Sequence, residues 1–230
     1  MHEGFEVKQL GEGLWAINED MVRCFLVVGS ERALLIDCCM RKSLDVSQIV
    51  AELTDKPVDL VFTHSDPDHT GGQDGFGAPM LHPSEYDHYF ARGNTARDLR
   101  PLWEGAVLDL GGTSLEAVLV PGHTPGSLAF LDRAHRRIFV GDTVSDAWVY
   151  LFSAGRSLQA FIASLKKLEG MAAGFDTVYP CHGSEALGAG SVSTLKTAAE
   201  KLLAGELVGV DPPRDLPCKA YEYEGIMLLY

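Results

Sequence analysis

Basic residues are scarce in this 230-residue chain: 19 lysines and arginines stand against 32 aspartates and glutamates, a formal net charge of -13 at pH 7. Binding a nucleic-acid backbone needs clustered Lys and Arg, so nuclease roles lose weight and no nucleic-acid partner is expected. Long apolar runs are missing too. Nothing approaches the roughly 18 residues needed to span a bilayer, and the opening MHEGFEVKQLGEG lacks the apolar core of a secretory signal. No membrane partner and a cytoplasmic location are therefore expected. Five cysteines, Cys24, Cys38, Cys39, Cys181 and Cys218, are odd in number and scattered, which excludes the look of a disulfide framework. The first three lie in or beside apolar runs and read as small buried hydrophobes. No G-x-S-x-G elbow and no Gly-rich flavin or nucleotide fingerprint occurs, so neither a serine nucleophile of that type nor a bound dinucleotide is indicated.

With 46% hydrophobic residues, the chain is long enough for one well-buried core, and a single domain over residues 1–230 is expected. Glu6–Gln9, Leu14–Asn18, Val22–Val28 and Ala33–Ile36 read as an antiparallel meander. Leu44, Ile49, Val50 and Leu53 share a helical repeat over Leu44–Leu53, and Asp59–Phe62 begins a strand that stops at His64. Further on come a short strand at Ala78–Leu81, a helix over Ser84–Ala91 with Ser84 as its cap, and a strand at Leu115–Val120. A hairpin follows at Ser127–Leu131 and Arg137–Val140, then an aromatic loop over Trp148–Phe152. Leu158, Phe161, Ile162, Leu165 and Leu168 mark an amphipathic helix. Asp176–Tyr179 is a last buried strand, Ser193–Leu203 a final helix, and Lys219–Tyr223 with Ile226–Tyr230 a closing hairpin. Two groups of strands interleaved with helices predict an α/β fold of two mixed sheets with helices outside.

The chemistry concentrates in Thr63-His64-Ser65-Asp66-Pro67-Asp68-His69-Thr70-Gly71-Gly72, which places two imidazoles and two carboxylates in six residues at the end of an apolar strand. Unpaired charges there cost several kcal/mol to desolvate, whereas a divalent cation makes the same cluster favourable. His64 and Asp66 alternate on extended backbone and can face one ion, while Asp68 and His69 follow the Pro67 turn and can face a second. Gly71 and Gly72 permit close backbone approach, at what reads as a helix start that favours an anion. Gly122-His123-Thr124-Pro125-Gly126-Ser127, Gly141-Asp142-Thr143 and Pro180-Cys181-His182-Gly183 repeat the grammar of strand, polar residue, then turn. Each is weak alone.

Together these segments resemble the metallo-β-lactamase-fold hydrolases, including the glyoxalase II, lactonase and flavodiiron branches. The resemblance runs from Leu35-Ile36-Asp37 through His182. It implies an αββα sandwich and two divalent ions, zinc ahead of iron or manganese. His64, Asp66 and His123 would hold the first ion and Asp68, His69 and His182 the second, with Asp142 bridging. Asp37 would orient the ligand imidazoles from behind, because each needs an acceptor for its other N–H.

Asp66 departs from the family's common motif, which has a histidine there. Three carboxylates around two divalent ions leave a formal +1 where the usual two leave +2, so the centre binds anionic substrates less tightly and acidifies its water less. An oxygen ligand also tilts preference from zinc toward iron or manganese.

The reaction implied is hydrolysis of a small molecule's ester, thioester, lactone or phosphodiester, with Asp68 as the catalytic group that orients water or takes its proton. The alternative is a diiron oxidoreductase reducing oxygen or a similar oxidant, since the flavodiiron branch also carries an acid at this position; nothing after His182 is long enough for a flavodoxin-like domain. A non-catalytic module is disfavoured because every ligand position holds a competent ligand. Tyr86, Trp148, Tyr150 and Cys181 are candidates to line a substrate pocket, and His82, His88 and His135 have no motif partners. Oligomeric state leaves no mark in the sequence.

Overall fold

The computed structural model describes residues 2–94 and 99–230. Its contacts group into two compact units, Met1–Ala117 and Val118–Tyr230.

In the first unit the expected meander forms from β1 (Phe5–Gly11), β2 (Leu14–Glu19), β3 (Val22–Val28) and β4 (Ala33–Ile36), all antiparallel. The chain then crosses through α1 (Asp45–Leu53) and returns as β5 (Val58–Val61), parallel to β4. Two short strands, β6 (Met80–Leu81) and β7 (Arg100–Pro101), extend the sheet to seven strands in chain order. β4 is Ala-Leu-Leu-Ile, wholly buried, as a central strand covered on both faces requires. On α1 the buried face is Val46, Ile49 and Val50; Leu44, expected on that face, stands exposed at the helix cap, and Val46 takes its place. The hairpin of β8 (Val107–Asp109) and β9 (Ser114–Leu119) turns at Gly111 and Gly112, both at positive φ, and β9 carries the chain into the second unit.

Two expectations near the chemical motif shift. The Ser84–Ala91 helix is a 3₁₀ turn at Pro83–Glu85 followed by α3 (Tyr86–Ala91), and its cap is His82, whose Nδ1 accepts from the Ser84 backbone N–H at 3.2 Å. Pro83 explains this: the residue before a proline is held extended, so the cap moves back to His82. Gly71 and Gly72 stand at the end of a helix, not its start. They close α2 (Pro67–Thr70) and give their N–H groups to Cys39 O and Cys38 O at 2.9 and 3.1 Å. The expected close approach is there: a Cβ on Gly72 would lie 2.5 Å from Cys38 O, and one on Gly71 would overlap Met40 O.

In the second unit β10 (Leu128–Asp132) and β11 (Arg137–Gly141) form the expected hairpin, β13 (Thr177–Pro180) runs parallel to β11, and β14 (Leu187–Gly188) is antiparallel to β13. Helices α4 (Leu158–Gly170) and α5 (Gly190–Leu203) share one core with them. Ser157 caps α4 by accepting from Ala160 N at 3.2 Å, and the predicted stripe of Leu158, Phe161, Ile162, Leu165 and Leu168 is buried. Each fully buried member, Phe161 or Leu165 for example, contributes about 1.5–3 kcal/mol. The closing hairpin is β15 (Ala220–Tyr223) with β16 (Ile226–Leu229). The expected aromatic loop is in part a strand, β12 (Trp148–Tyr150), paired in parallel with β16. Among the described residues no helix is long and apolar enough to cross a membrane.

Candidate metal-ligand clusters

Every predicted ligand follows the C-terminal end of a strand of its own unit, where side chains leave the sheet. In the first unit β4 ends at Ile36 and delivers Asp37; β5 ends at Val61, and Phe62-Thr63 leads to His64. Asp37 is fully buried, at φ 62°, a left-handed conformation that Asp tolerates better than most residues. Its Oδ1 accepts from Thr63 N at 2.7 Å, and its Oδ2 accepts from Thr63 Oγ1 and His69 Nδ1, both at 2.8 Å. With its proton on Asp37, the Thr63 hydroxyl accepts from His64 Nδ1 at 3.0 Å. One carboxylate thus sets both imidazoles with protonated Nδ1 and leaves each Nε2 as a lone-pair donor.

The distances from those Nε2 atoms are of a different kind. His69 meets Asp37 at 2.8 Å through Nδ1 but Asp68 Oδ2 at 3.8 Å through Nε2, and His64 Nε2 stands 3.6 Å from Asp66 Oδ2. Donors about 2.1 Å from one tetrahedral ion are separated by roughly 3.4 Å, beyond the usual hydrogen-bond range of about 2.7–3.2 Å. The His64 and His69 rings lie 4.0 Å apart between centroids, tilted by 50°. Asp66 divides its oxygens: Oδ2 faces His64, while Oδ1 faces Arg92 NH2 at 3.7 Å and His88 Nδ1 at 3.9 Å. Between the two ligands, Ser65 is fixed by buried Glu85, which accepts from its N at 3.0 Å and its Oγ at 2.6 Å.

In the second unit β9 precedes His123, β11 delivers Asp142 and β13 delivers His182. The two oxygens of Asp142 face different imidazoles: Oδ2 is 3.5 Å from His123 Nε2 and Oδ1 is 3.3 Å from His182 Nε2. His123 Nδ1 lies 3.0 Å from Tyr150 O, an acceptor for its proton, and Arg156 NH1 stands 2.6 Å from Nδ1 and 2.8 Å from Nε2. Gly122, at φ 142°, lets this segment lie against α4, where a Cβ would sit 2.5 Å from Phe161 N. The donor chemistry therefore fits divalent cations in both clusters: neutral imidazole Nε2 and carboxylate oxygen at ligand spacing.

The other predicted residues are placed less centrally. Tyr150 serves His123 through its backbone carbonyl. Trp148 is half-buried with the Arg214 guanidinium 5.7 Å above its ring, and Cys181 is buried, its N–H on Gly141 O at 3.1 Å. Tyr86 is half-buried on α3, and burial pushes its phenol up from the ordinary value. Cys24, Cys38 and Cys39 are buried as expected, and burial raises the first two thiols well above the ordinary value. His135 pairs with Asp132 at 2.8 Å, His82 caps its helical turn, and His88 meets Ser65 Oγ at 3.0 Å. Sequence reasoning missed Thr63, Glu85 and Arg156. Thr63 adjoins the motif and its hydroxyl was a readable signal; Glu85 and Arg156 are joined to their partners only by folding.

The profile of the family described as "Metallo-beta-lactamase superfamily" matches residues 17–205. Among curated proteins the chain is 28% identical over 208 residues to the acyl-coenzyme A thioesterase MBLAC2 of Gallus gallus, covering 72% of this chain and 75% of that one. It is 24% identical over 181 residues to the lactamase-like protein nscB of Trichophyton equinum, covering 77% of this chain and 52% of that protein. The chain thus spans about half the length of that fungal relative. A metallo-beta-lactamase from Pontibacter korlensis superposes with a TM-score of 0.73 at 18% identity, over 85% of this chain and 99% of that one. Another, from Erythrobacter litoralis with beta mercaptoethanol in its active site, gives 0.72 at 20% identity, over 87% and 98%. Mixed sheets with helices, the fold class expected from sequence, are the fold these structures share.

Proposed function

Because the chain belongs to the metallo-β-lactamase superfamily, we propose that it is a metal-dependent hydrolase whose first substrate class to test is thioesters. His64, Asp66 and His123 would hold one divalent ion, Asp68, His69 and His182 a second, with Asp142 serving both. The observation that carries this reading is Asp142, whose two oxygens each face a different imidazole at 3.5 and 3.3 Å, as a carboxylate shared by two ions does. Thioesters lead the ester, lactone and phosphodiester alternatives because the relative from Gallus gallus is an acyl-coenzyme A thioesterase.

Bound divalent ions would supply Lewis acidity toward the scissile carbonyl and a water acidic enough to act near neutral pH. The chain supplies the rest. Asp68, about a third exposed, is the carboxylate that solvent reaches; it orients the attacking water and takes its proton. Asp37 and Thr63 keep His69 and His64 in the tautomer that presents Nε2.

Elemental analysis of protein purified without added metal, followed by a panel of one thioester, ester, lactone and phosphodiester, tests the proposal. Bound zinc, iron or manganese at two per chain and chelator-sensitive thioester cleavage are expected; cleavage that survives a metal-free preparation refutes it. The diiron oxidoreductase remains the second reading because Asp66 presents Oδ2 toward His64 at 3.6 Å, an oxygen donor at a position where the family carries nitrogen. Stoichiometric iron with oxygen consumption from an external electron donor would favour it, and zinc alone would exclude it. Small molecules are the proposed partners. A cytoplasmic location remains part of this reading, as does one functional domain over 1–230.

A further inference from the structure

Asp66 brings two oxygens to a position where the common motif offers one nitrogen. A histidine presents a single lone pair to a metal ion, whereas a carboxylate either presents one oxygen or chelates through both. Oδ2 stands 3.6 Å from His64 Nε2, at ligand spacing, so the engagement of Oδ1 decides which kind of donor Asp66 is. That outer oxygen faces the Arg92 guanidinium at 3.7 Å and His88 Nδ1 at 3.9 Å.

The guanidinium is aligned from the interior. Arg92 Nε can only donate, so His88 Nε2, 3.2 Å away, accepts, and the ring proton lies on Nδ1. Nδ1 donates to Ser65 Oγ at 3.0 Å, and the hydroxyl gives its own proton to Glu85 Oε2 at 2.6 Å. Glu85 also accepts from Ser65 N at 3.0 Å and is fully buried. Every proton in the chain from Arg92 to Glu85 therefore has one direction. Glu85, His88 and Arg92 are spaced three and four residues apart, which puts them on one face of the helical segment that starts at Pro83. A buried carboxylate, a hydroxyl and an imidazole in series are more than an ordinary surface ion pair requires.

We propose that Arg92, aligned by Glu85 through Ser65 and His88, is a positioning residue that engages Oδ1 and makes Asp66 a one-oxygen ligand, matching the donor count of the histidine in the common motif; this rests on the ligand assignment in the hydrolase reading above. The consequence is metal selection. One oxygen keeps the low coordination number that suits zinc, and release of Oδ1 adds an oxygen donor that suits manganese, so Arg92 limits the tilt away from zinc that a carboxylate brings.

The test places Arg92→Gln in wild type and in Asp66→His, and His88→Leu in wild type, with circular dichroism to show that each variant folds. Competition against a chelating dye gives the zinc-to-manganese affinity ratio, in which the lost guanidinium charge cancels because both ions are divalent. Arg92→Gln should lower that ratio by about tenfold in wild type and by less than about twofold in Asp66→His, which has no Oδ1 to release. The visible absorption of cobalt-loaded protein, weaker as coordination number rises, should fall in the first background and hold in the second. His88→Leu should lower the ratio in the same direction, by about threefold. Equal shifts in both backgrounds, or none in either, would overturn the proposal, and an unchanged ratio in His88→Leu would overturn the alignment by Glu85. Wild type that takes up neither zinc nor cobalt would sink the ligand assignment itself, and this proposal with it.

Discussion

Replacing Asp37 by Asn is nearly isosteric, yet it should disable two of the proposed metal ligands at once. Thr63 N already requires an acceptor at the Oδ1 position, so the new amide nitrogen falls at Oδ2, against Thr63 Oγ1 and His69 Nδ1. His69 then faces a donor and must move its proton to Nε2, the atom that would bind metal. Thr63 Oγ1 accepts from the amide and turns its own proton toward His64 Nδ1, 3.0 Å away, which drives the His64 proton to Nε2 as well. Loss of one group that backs a ligand imidazole costs about ten- to a hundredfold in metal affinity. Two ligands sharing one acceptor are coupled, so the effects do not simply multiply. We expect metal binding to weaken by about a hundredfold, or about 2.7 kcal/mol. The assay is competition against a chelating dye at neutral pH, with circular dichroism to show that the variant folds. Thr63→Val serves as the partial control: it breaks the relay to His64, leaves His69 on Asp37, and should cost about tenfold. Affinity of a folded Asp37→Asn within about threefold of wild type would refute the tautomer argument.

Gly122→Ala should lower stability by about 2–4 kcal/mol, read as a drop in melting temperature, because φ is 142° and the new methyl meets Phe161 N at 2.5 Å. Asp66→His should shift metal content toward zinc and tighten anionic substrates, and unchanged metal content with unchanged binding would show that ligand charge is not controlling. Around Asp59, partial burial pushes the carboxyl up, but hydrogen bonds from Arg100 at 2.7 Å and Arg32 at 2.7 and 3.1 Å outweigh it and hold the carboxyl below 3.8. The unfolded chain therefore binds the proton more readily, so the stabilisation is present above 3.8 and is lost as pH falls through the lower folded value. Asp59→Asn should cost about 1 kcal/mol at neutral pH, and denaturant melts should show that difference vanishing in acid.

What was legible in the sequence was what short-range pattern encodes. The meander of β1 to β4 and the stripe from Leu158 to Leu168 were readable because the period that sets them lies within one element. β12 was not, since Trp148–Tyr150 becomes a strand only by pairing with β16, far along the chain. The misplaced cap at Ser84 and the exposed Leu44 have local causes: Pro83 fixes the residue before it, and a helix that starts one residue later turns a different side chain inward. The candidate ligands stood out because His and carboxylate side chains are common metal donors whatever the fold. Of their supports, Asp37 was expected through the family resemblance and Thr63 adjoins the motif. Glu85 and the backbone carbonyl of Tyr150 were not legible, because a hydrogen-bond acceptor has no sequence signature until its donor is brought to it.

The supports also give a physical reason for the departure at Asp66. His69 is backed directly by a carboxylate, Asp37, which lends it negative charge and makes Nε2 a stronger donor. His64 is backed only by the Thr63 hydroxyl and His123 only by the Tyr150 carbonyl, both neutral, and Arg156 draws charge away from His123. Under the proposed assignment, His64 and His123 serve the same ion, so that ion has the weaker imidazoles. On that assignment Asp66 would be the third ligand of that ion. A carboxylate there supplies directly the charge that Asp37 supplies to the other ion through His69, and Arg92, 3.7 Å from the outer oxygen of Asp66, keeps Oδ2 turned toward His64. On the proposed assignment, the substitution that sets this chain apart from the common motif would thus act at the ion whose histidines have the least support.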